Sequence, residues 1–209
     1  MNVMQKKSKP RVKNEEAILI AAEEVFSELG FAGATTSLIA SRAGIPKANL
    51  HYYYPTKEAL YQTIISRIFS IWLHAAETFD DCDDPADALG RYIRAKMEIS
   101  RMHPLGSKIW AQEIMHGAPQ IQGFLETTLN DWTASRVKII ERWIAERKID
   151  AIDPQSLLHM IWASTQHYAD FEHQIGALNG GKALSDEKYK HATETVTQII
   201  LKGIGIKMV

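Results

Sequence analysis

Polar and aromatic side chains in residues 46–55 have the types and spacing needed to read DNA. Lys, Asn, His and Tyr follow one another closely there, and a helix would turn them outward. Carboxamides pair with adenine edges in the major groove, whereas ammonium and hydroxyl groups bind phosphate oxygens. The candidate base contacts are Thr36, Ala48, Asn49 and His51, and the candidate phosphate contacts are Lys47, Tyr52 and Lys57.

A second set of residues, in the C-terminal half, has the chemistry to bind a flat polar molecule. Trp162, Gln166 and Asp170 recur every four residues, which predicts one helical face. An indole stacks on a flat ring, and a carboxamide offers both a donor and an acceptor. Further candidate walls and polar contacts are Trp72, Trp110, Lys96, Ser100 and Lys108. The alternative is that the tryptophans are core residues and Gln166 is hydrogen-bonded within the protein.

Two short helices joined by a tight turn must position the DNA-reading side chains. The segments on either side of Gly44 both read as helices. The apolar residues expected to pack them together are Leu38, Ile39, Ala43, Ile45 and Leu50. This arrangement is typical of helix-turn-helix DNA-binding motifs.

The rest of the chain also has helical periodicity, and we predict an all-α fold. The further predicted helices cover residues 14–29, 56–79, 86–102, 107–116, 120–147, 153–177 and 185–202. The predicted N-terminal caps are Asn14, Thr36 or Ser37, Thr56, Asp153 and Ser185, and Gly30 is the predicted end of the first helix.

Composition indicates an ordinary globular protein with an uneven charge distribution. The 209 residues are 45% hydrophobic and 23% charged, and the net charge is −1. The first 60 residues carry a net +2 and the remainder −3, which suits a DNA-facing end and a more acidic sensing end. Residues 1–13 hold five basic residues and no acid: Lys6, Lys7, Lys9, Arg11 and Lys13. This basic arm is expected to bind phosphates, to be a disordered soluble tail, or both.

A single cysteine, Cys82, excludes an intrachain disulfide framework and makes the reducing cytoplasm the expected compartment. The N-terminus lacks the apolar core of a signal peptide, and no apolar run is long enough for a membrane helix. Neither secretion nor membrane insertion is therefore expected.

Residues 22–61, AEEVFSELGFAGATTSLIASRAGIPKANLHYYYPTKEALY, resemble the DNA-binding domain of the TetR family of bacterial regulators. The resemblance implies a basic flexible arm in residues 1–13, a helix-turn-helix domain in 14–56 and a ligand-binding and dimerisation domain in 57–209. Pro46 departs from the family pattern, which more often has Ser there. Since Pro is tolerated in a first helical turn, we expect the helix to form without that side-chain phosphate contact.

Residues 152–155 and 160–171 are similar to the pyrimidine-utilisation subfamily of TetR-type repressors, which sense uracil and thymine. The resemblance extends from about residue 14 to residue 204. It implies that Trp162 and Gln166 hold the ring of a small planar effector. Trp110 stands where the subfamily resemblance implies a smaller aromatic residue, so the size of the pocket and the exact effector stay open.

The family resemblance also implies a homodimer formed through the last two long helices. Largely apolar residues at helical spacing follow one face of each: Leu157, Ile161, Ser164, Tyr168, Phe171 and Ile175, then Ala192, Val196, Ile199 and Ile200. The alternative is that these faces are buried within their own subunit. Two recognition helices about one DNA turn apart would match a two-fold symmetric, double-stranded operator.

Neither a metal site nor a catalytic site is expected. Glu113 and His116 have the Glu-x-x-His spacing of di-metal bundles, but the sequence holds no second copy. His167, Asp170 and His173 would diverge around a helix, and no nucleophile elbow or phosphate-binding loop is present. We expect no enzyme activity and no cofactor.

The sequence therefore predicts a homodimeric, ligand-responsive transcriptional regulator, most consistent with a repressor of pyrimidine or related nitrogen-compound metabolism. The predicted helix over 56–79 joins both domains, so an effector near Trp72 and Trp162 can change the spacing of the recognition helices. One alternative is the same class of regulator with another heteroaromatic or an apolar effector. Another is a helical interaction protein that does not bind DNA.

Overall fold

The computed structural model describes residues 9–79 and 82–207, and every regular element in these ranges is helical. The predicted all-α fold is confirmed. The helices are α1 (Lys9–Gly33), α2 (Thr36–Arg42), α3 (Lys47–Tyr53), α4 (Lys57–Ala75), α5 (Pro85–Met102), α6 (Pro104–Met115), α7 (Gln122–Phe124), α8 (Asn130–Ala145), α9 (Pro154–Asp170), α10 (Glu172–Leu178) and α11 (Asp186–Gly203). A 3-10 turn, Ala76–Phe79, extends α4, and a π turn, Leu125–Leu129, joins α7 to α8.

Side-chain caps fix several helix starts as predicted. Thr56, Asp153 and Ser185 each accept a hydrogen bond from the backbone N–H three residues later. The predicted cap of α2 is wrong by one residue: Thr35 has extended backbone angles, and its Oγ1 accepts from Leu38 N at 3.2 Å.

The first helix begins earlier and ends later than predicted. Asn14 lies inside α1 and is not its cap, because residues 9–13 are already helical. Lys and Arg are good helix formers, and Pro10 lies in the first turn, where its missing N–H leaves no bond unmade. Gly30 bends the helix at φ 65° instead of ending it. Lys6 and Lys7 of the predicted basic arm lie outside the described residues.

Two predicted long helices are interrupted. The predicted helix over 120–147 contains the π turn and ends at Ala145, and the one over 153–177 breaks at Phe171, whose φ and ψ are −114° and 27°. Helix α5 ends at Met102 as predicted, and α6 starts at Pro104, three residues before the predicted start at residue 107. Apolar periodicity does not report a single non-helical residue, so these breaks were missed.

The buried residues form two hydrophobic cores. The first joins α1–α4 with Ile109 and Trp110 of α6, and the second joins α5, α8, α9 and α11 around Trp143. Helix α6 therefore packs with the N-terminal helices although it follows α5 in the chain. None of the helices in the described ranges is long and apolar enough to cross a membrane.

Candidate DNA-binding surface and effector cavity

Helices α2 and α3 form the predicted helix-turn-helix. Gly44 has a φ of 67°, and Ile45 N donates to Ala40 O at 3.0 Å to close the turn. Ile39 and Leu50 are fully buried between these helices and α1. Leu38, predicted to join this contact, is 36% exposed and does not. The positive φ at Gly44 explains why glycine suits this position.

The predicted recognition helix, α3, turns its polar side outward. Lys47, Ala48, Asn49 and His51 are exposed, and Tyr52 is 70% exposed. The helix forms, as the sequence predicts, but Pro46 lies at its N-terminal cap position and not in its first turn, and makes no side-chain cap bond. Five of the seven predicted DNA contacts thus share one accessible face.

Arg11 adds a basic group beside this face. Its guanidinium lies 5.6 Å from the centroid of the Tyr52 ring. The run of basic residues in 1–13 predicted a basic arm, but it did not show that Arg11 is the residue that reaches α3. The described end of α1 therefore brings positive charge to the recognition helix.

The two remaining predicted DNA contacts, Thr36 and Lys57, are less accessible to DNA. Thr36 is half-buried at the start of α2. Lys57 Nζ donates to Phe31 O at 2.8 Å and to Ala34 O at 3.1 Å, and lies 4.3 Å from the Phe31 ring centroid. Two of its three N–H donors thus fasten α4 to the end of α1, which the sequence did not indicate.

A cavity of about 360 Å³ opens between α4, α5, α6, α8 and α9. It brings together four of the five predicted ligand-binding residues, Trp72, Trp110, Trp162 and Gln166. The other lining residues are Phe69, Leu73, Tyr92, Lys96, Ile114, Leu125, Leu129, Trp132 and His159. Sequence reasoning missed most of these because a helical face does not show which other helices it meets.

Aromatic contacts hold the walls of the cavity in place. Trp72 and Trp110 meet edge-on with ring centroids 5.2 Å apart, and Trp132 and Trp162 lie 6.0 Å apart. Trp162 Nε1 donates to Tyr92 Oη at 2.9 Å, which fixes the orientation of the indole. This is a rigid surface suited to stacking on a planar ring.

Two polar side chains at the cavity lack hydrogen-bond partners among the described residues. The Gln166 carboxamide is half-buried, and the Lys96 side chain is only 3% exposed. Neither makes a hydrogen bond or an ion pair to any residue in the two described ranges. Burial lowers the pKa of Lys96 from 10.5 to about 7, and the charge of Asp170 opposes this shift.

Asp170, the fifth predicted ligand residue, does not line the cavity. Its Oδ1 accepts from Ser107 Oγ at 2.6 Å, and burial raises the pKa of its carboxyl group. Each step of four residues overshoots a helical turn, so Asp170 is rotated by about 80° from Trp162. The structure therefore corrects its predicted place on the cavity wall.

Helix α6 connects the cavity to the N-terminal helices. Trp110 and Ile114 line the cavity. On the other side, Gln112 Nε2 donates to Ser27 O of α1 at 2.9 Å, and the buried Glu113 accepts from Tyr61 Oη of α4 at 2.9 Å. A shift of the cavity wall thus reaches both α1 and α4.

Glu113 and His116, which have the spacing of metal ligands in the sequence, make hydrogen-bonding contacts within the protein. Glu113 Oε1 accepts from Gln120 N at 2.7 Å, and His116 Nδ1 lies 2.6 Å from Gln112 O. No group of three potential ligands gathers at a metal-binding distance among residues 9–79 and 82–207.

Two families of known proteins match consecutive parts of this chain. Residues 18–64 match the bacterial regulatory proteins of the tetR family, and residues 65–207 match the C-terminal region of YcdC-like proteins. The HTH-type transcriptional regulator RutR of Escherichia coli (strain K12) is 39% identical over 199 residues, covering 95% of this chain and 94% of RutR. The HTH-type transcriptional regulator EthR of Mycolicibacterium smegmatis is 27% identical over 170 residues, covering 78% of this chain and 77% of EthR.

Solved structures share the fold at low identity. The ketosteroid transcriptional regulator KstR2 of Mycobacterium tuberculosis superposes with a TM-score of 0.71 at 19% identity, covering 98% of both chains. FadR of Bacillus subtilis, in complex with stearoyl-CoA, has a TM-score of 0.66 at 16% identity, covering 91% of this chain and 99% of FadR. At these identities the likeness shows the fold alone.

Proposed function

This chain belongs to the TetR family of bacterial regulatory proteins and is a helix-turn-helix transcriptional regulator, and from that premise we propose that it is a repressor released by a pyrimidine. The observation that carries the proposal is the unpartnered Gln166 carboxamide beside the fixed indole of Trp162. The family acts through operator DNA and small effectors and is not a family of enzymes.

The cavity suits the imide edge of uracil or thymine. That edge alternates acceptor, donor and acceptor, and a carboxamide can pair with two of the three. A volume of about 360 Å³ holds one small ring between Trp162 and the other aromatic walls. The resemblance of residues 152–155 and 160–171 to the pyrimidine-utilisation subfamily supports this effector class.

DNA contacts are assigned to the exposed face of α3. Asn49 is our choice for a bidentate contact to adenine, with Ala48 and His51 beside it and Thr36 at the edge. Lys47, Tyr52 and the third N–H donor of Lys57 are assigned to phosphates. We therefore expect Asn49→Ala to reduce the preference for the operator over random DNA, and Lys47→Ala to weaken binding to both.

A homodimer would place two recognition helices on a two-fold operator in the cytoplasm, where the DNA is. Three residues of the predicted dimer stripes, Leu157, Ile161 and Ile200, are buried in the chain's own second core and are unsuited to an interface. Exposed apolar residues remain on α10 and α11, with Leu178 at 84% and Ile199 at 66% exposure. These support a partner surface along that side.

The test is the anisotropy of labelled DNA from upstream of this protein's own reading frame, at fixed salt. Uracil or thymine should weaken binding, and 1,3-dimethyluracil, which has no imide N–H, should not. Gln166→Met should keep DNA binding and lose the response, while the exposed control Gln155→Met should keep both. Release by all three rings alike would contradict the imide assignment.

A second candidate is the same regulator with an apolar or different heteroaromatic effector. The apolar side chains of Phe69, Leu73, Leu125 and Leu129 around the cavity favour it. A thermal-shift screen of purines and aromatic acids against uracil separates the two. A protein that acts without DNA is disfavoured by the exposed polar face of α3.

A further inference from the structure

Lys96 puts a buried amine, which can carry a positive charge, on the wall of the effector cavity. Its Nζ lies 4.4 Å from the centroid of the Trp72 ring, and the side chain is 3% exposed. Within the described part of the chain it has no hydrogen-bond acceptor. Since burial without an acceptor disfavours the charged form of an amine, an anion in the cavity would complete the site by stabilising the ammonium.

The protein itself supplies only partial charge compensation for Lys96. Asp170 on α9 acts on it electrostatically, but the Asp170 carboxylate already accepts from Ser107 on α6. The indole face of Trp72 on α4 also favours the charged ammonium. The other titratable groups that line the cavity or act on Asp170 are Tyr92 on α5, Lys108 on α6, and His159 and His167 on α9. None of these adds a second carboxylate. A negative charge in the cavity would therefore complete the compensation of the charged form of Lys96.

We propose that Lys96 selects acidic heteroaromatic rings and holds the effector as an anion, with its Nζ ammonium donating to the ring. The inference rests on the proposed function, because it names the chemical class of effector for the same cavity. Cyclic imides meet the requirement, since loss of the imide proton spreads charge over two carbonyl groups. The edge of the anion then holds acceptors alone, so the Gln166 amide pairs with it by donating an N–H. Hydrogen bonds between an ammonium and an anion are stronger than those to a neutral carbonyl.

The proposal fixes the proton balance of binding. The bound pair holds one proton, which lies on Lys96 Nζ after leaving the ring nitrogen. A ring that is neutral in solution brings that proton with it, and one that is already anionic brings none. Proton uptake from the solvent should therefore be greater by one for the anionic ring, whatever fraction of Lys96 is charged beforehand.

Titration calorimetry at pH 7.5 with uracil, 5-fluorouracil and 6-azauracil tests the proposal, because these rings are similar in size and increasingly acidic. The Kd of the wild-type protein should fall along the series by about tenfold or more, as expected for a charge-assisted bond. Lys96→Met should flatten the series, and the exposed-lysine control Lys138→Met should keep it. Repeating the titrations in two buffers of different ionisation enthalpy gives the proton uptake.

Each outcome separates the role of Lys96 from the pyrimidine effector. Equal affinities along the series, or the same trend in Lys96→Met, would overturn the role of Lys96 while keeping the effector. Failure of all three rings to bind the wild-type protein would overturn the proposed effector and with it the inference. If Lys96→Met does not fold, the fluorine NMR shift of 5-fluorouracil bound to the wild-type protein still decides, because it reports whether the ring is ionised: the shift of the neutral ring would overturn the proposal.

Discussion

Two lysines with opposite surroundings show how local contacts divide structural from ligand-binding roles. Lys57 gives two N–H donors to the carbonyl groups of Phe31 and Ala34, and so ties α4 to the end of α1. Lys96 is more deeply buried, faces aromatic rings and has no acceptor in the described residues. The Lys57 ammonium stabilises the fold, and the Lys96 amine is left for an incoming molecule.

Replacing Lys57 tests whether its structural and DNA roles coexist. Lys57→Met should lower the free energy of unfolding by about 1–3 kcal/mol, because two carbonyl groups lose a charged donor. Urea denaturation measures this loss, with the exposed Lys47→Met as the control. If the third N–H also binds a phosphate, the slope of log K against log salt falls by about one. An unchanged urea midpoint would contradict the structural role.

The depressed pKa of Lys96 makes stability depend on pH in a defined window. Between about pH 7 and 10.5 the unfolded chain holds this proton and the folded protein does not, so stability should rise with pH there. The full effect approaches about 1.4 kcal/mol per pH unit. Urea unfolding at pH 7, 8 and 9 should show this rise in the wild-type protein relative to Lys96→Met. Parallel curves for the two proteins would contradict it.

Among the elements, α6 is placed to couple the two sites. It carries Trp110 at the cavity and Glu113 against Tyr61 of α4, while Gln112 bonds to α1. The first core includes α6, so its displacement would disturb the packing under the recognition helix. The sequence placed this coupling in α4 alone, because no pattern in α6 indicated that it packs against α1.

Breaking the contact between α6 and α4 should weaken effector response without removing effector binding. Tyr61→Phe deletes the donor to Glu113, so effector affinity should change less than about twofold while its effect on DNA falls by several-fold. Labelled-DNA anisotropy and calorimetry measure the two quantities. Tyr189→Phe is the matched control. It deletes a tyrosine hydrogen bond of 2.7 Å, from Tyr189 Oη to Met97 O, which joins α11 to α5 and does not involve α6. Equal loss of response in both variants would contradict a specific role for α6.

Local patterns determined how much of these elements and of the site could be predicted. Helix identity and the caps at Thr56, Asp153 and Ser185 depend on nearby residues and were predictable. The break at Phe171 depends on one residue's backbone angles, and the rotation of Asp170 off the cavity wall follows from helix geometry over two turns. The meeting of Trp132 with Trp162 depends on tertiary packing, which periodicity does not encode.

At the scale of the whole molecule, an unpaired apolar side remains on α10 and α11. Leu178 and Ile199 are exposed there, whereas the neighbouring Ile200 and Leu201 are buried in the second core. One helix-turn-helix reads few base pairs, so affinity should depend on pairing two chains through this side.

Introducing a charge into that side should separate the subunits. Ile199→Asp should give a monomer at micromolar concentration in light scattering, because a carboxylate is costly to bury in an apolar interface. Its operator affinity should fall by about 100-fold or more as the second half-site is lost. Ile20→Asp, an exposed isoleucine on α1, should leave the oligomeric state unchanged. A dimeric Ile199→Asp protein would place the interface elsewhere.

The aromatic lining of the cavity also makes the intrinsic tryptophan fluorescence of the protein sensitive to effector binding. Four of the five tryptophans border it, and the fifth, Trp143, lies fully buried in the second core. Indoles only 5.2 Å and 6.0 Å apart exchange excitation energy. A bound ring that quenches the fluorescence of Trp162 therefore also lowers the fluorescence of the neighbouring tryptophans. The intrinsic ultraviolet emission therefore reports occupancy directly, with Trp143 as an internal reference and no dye attached.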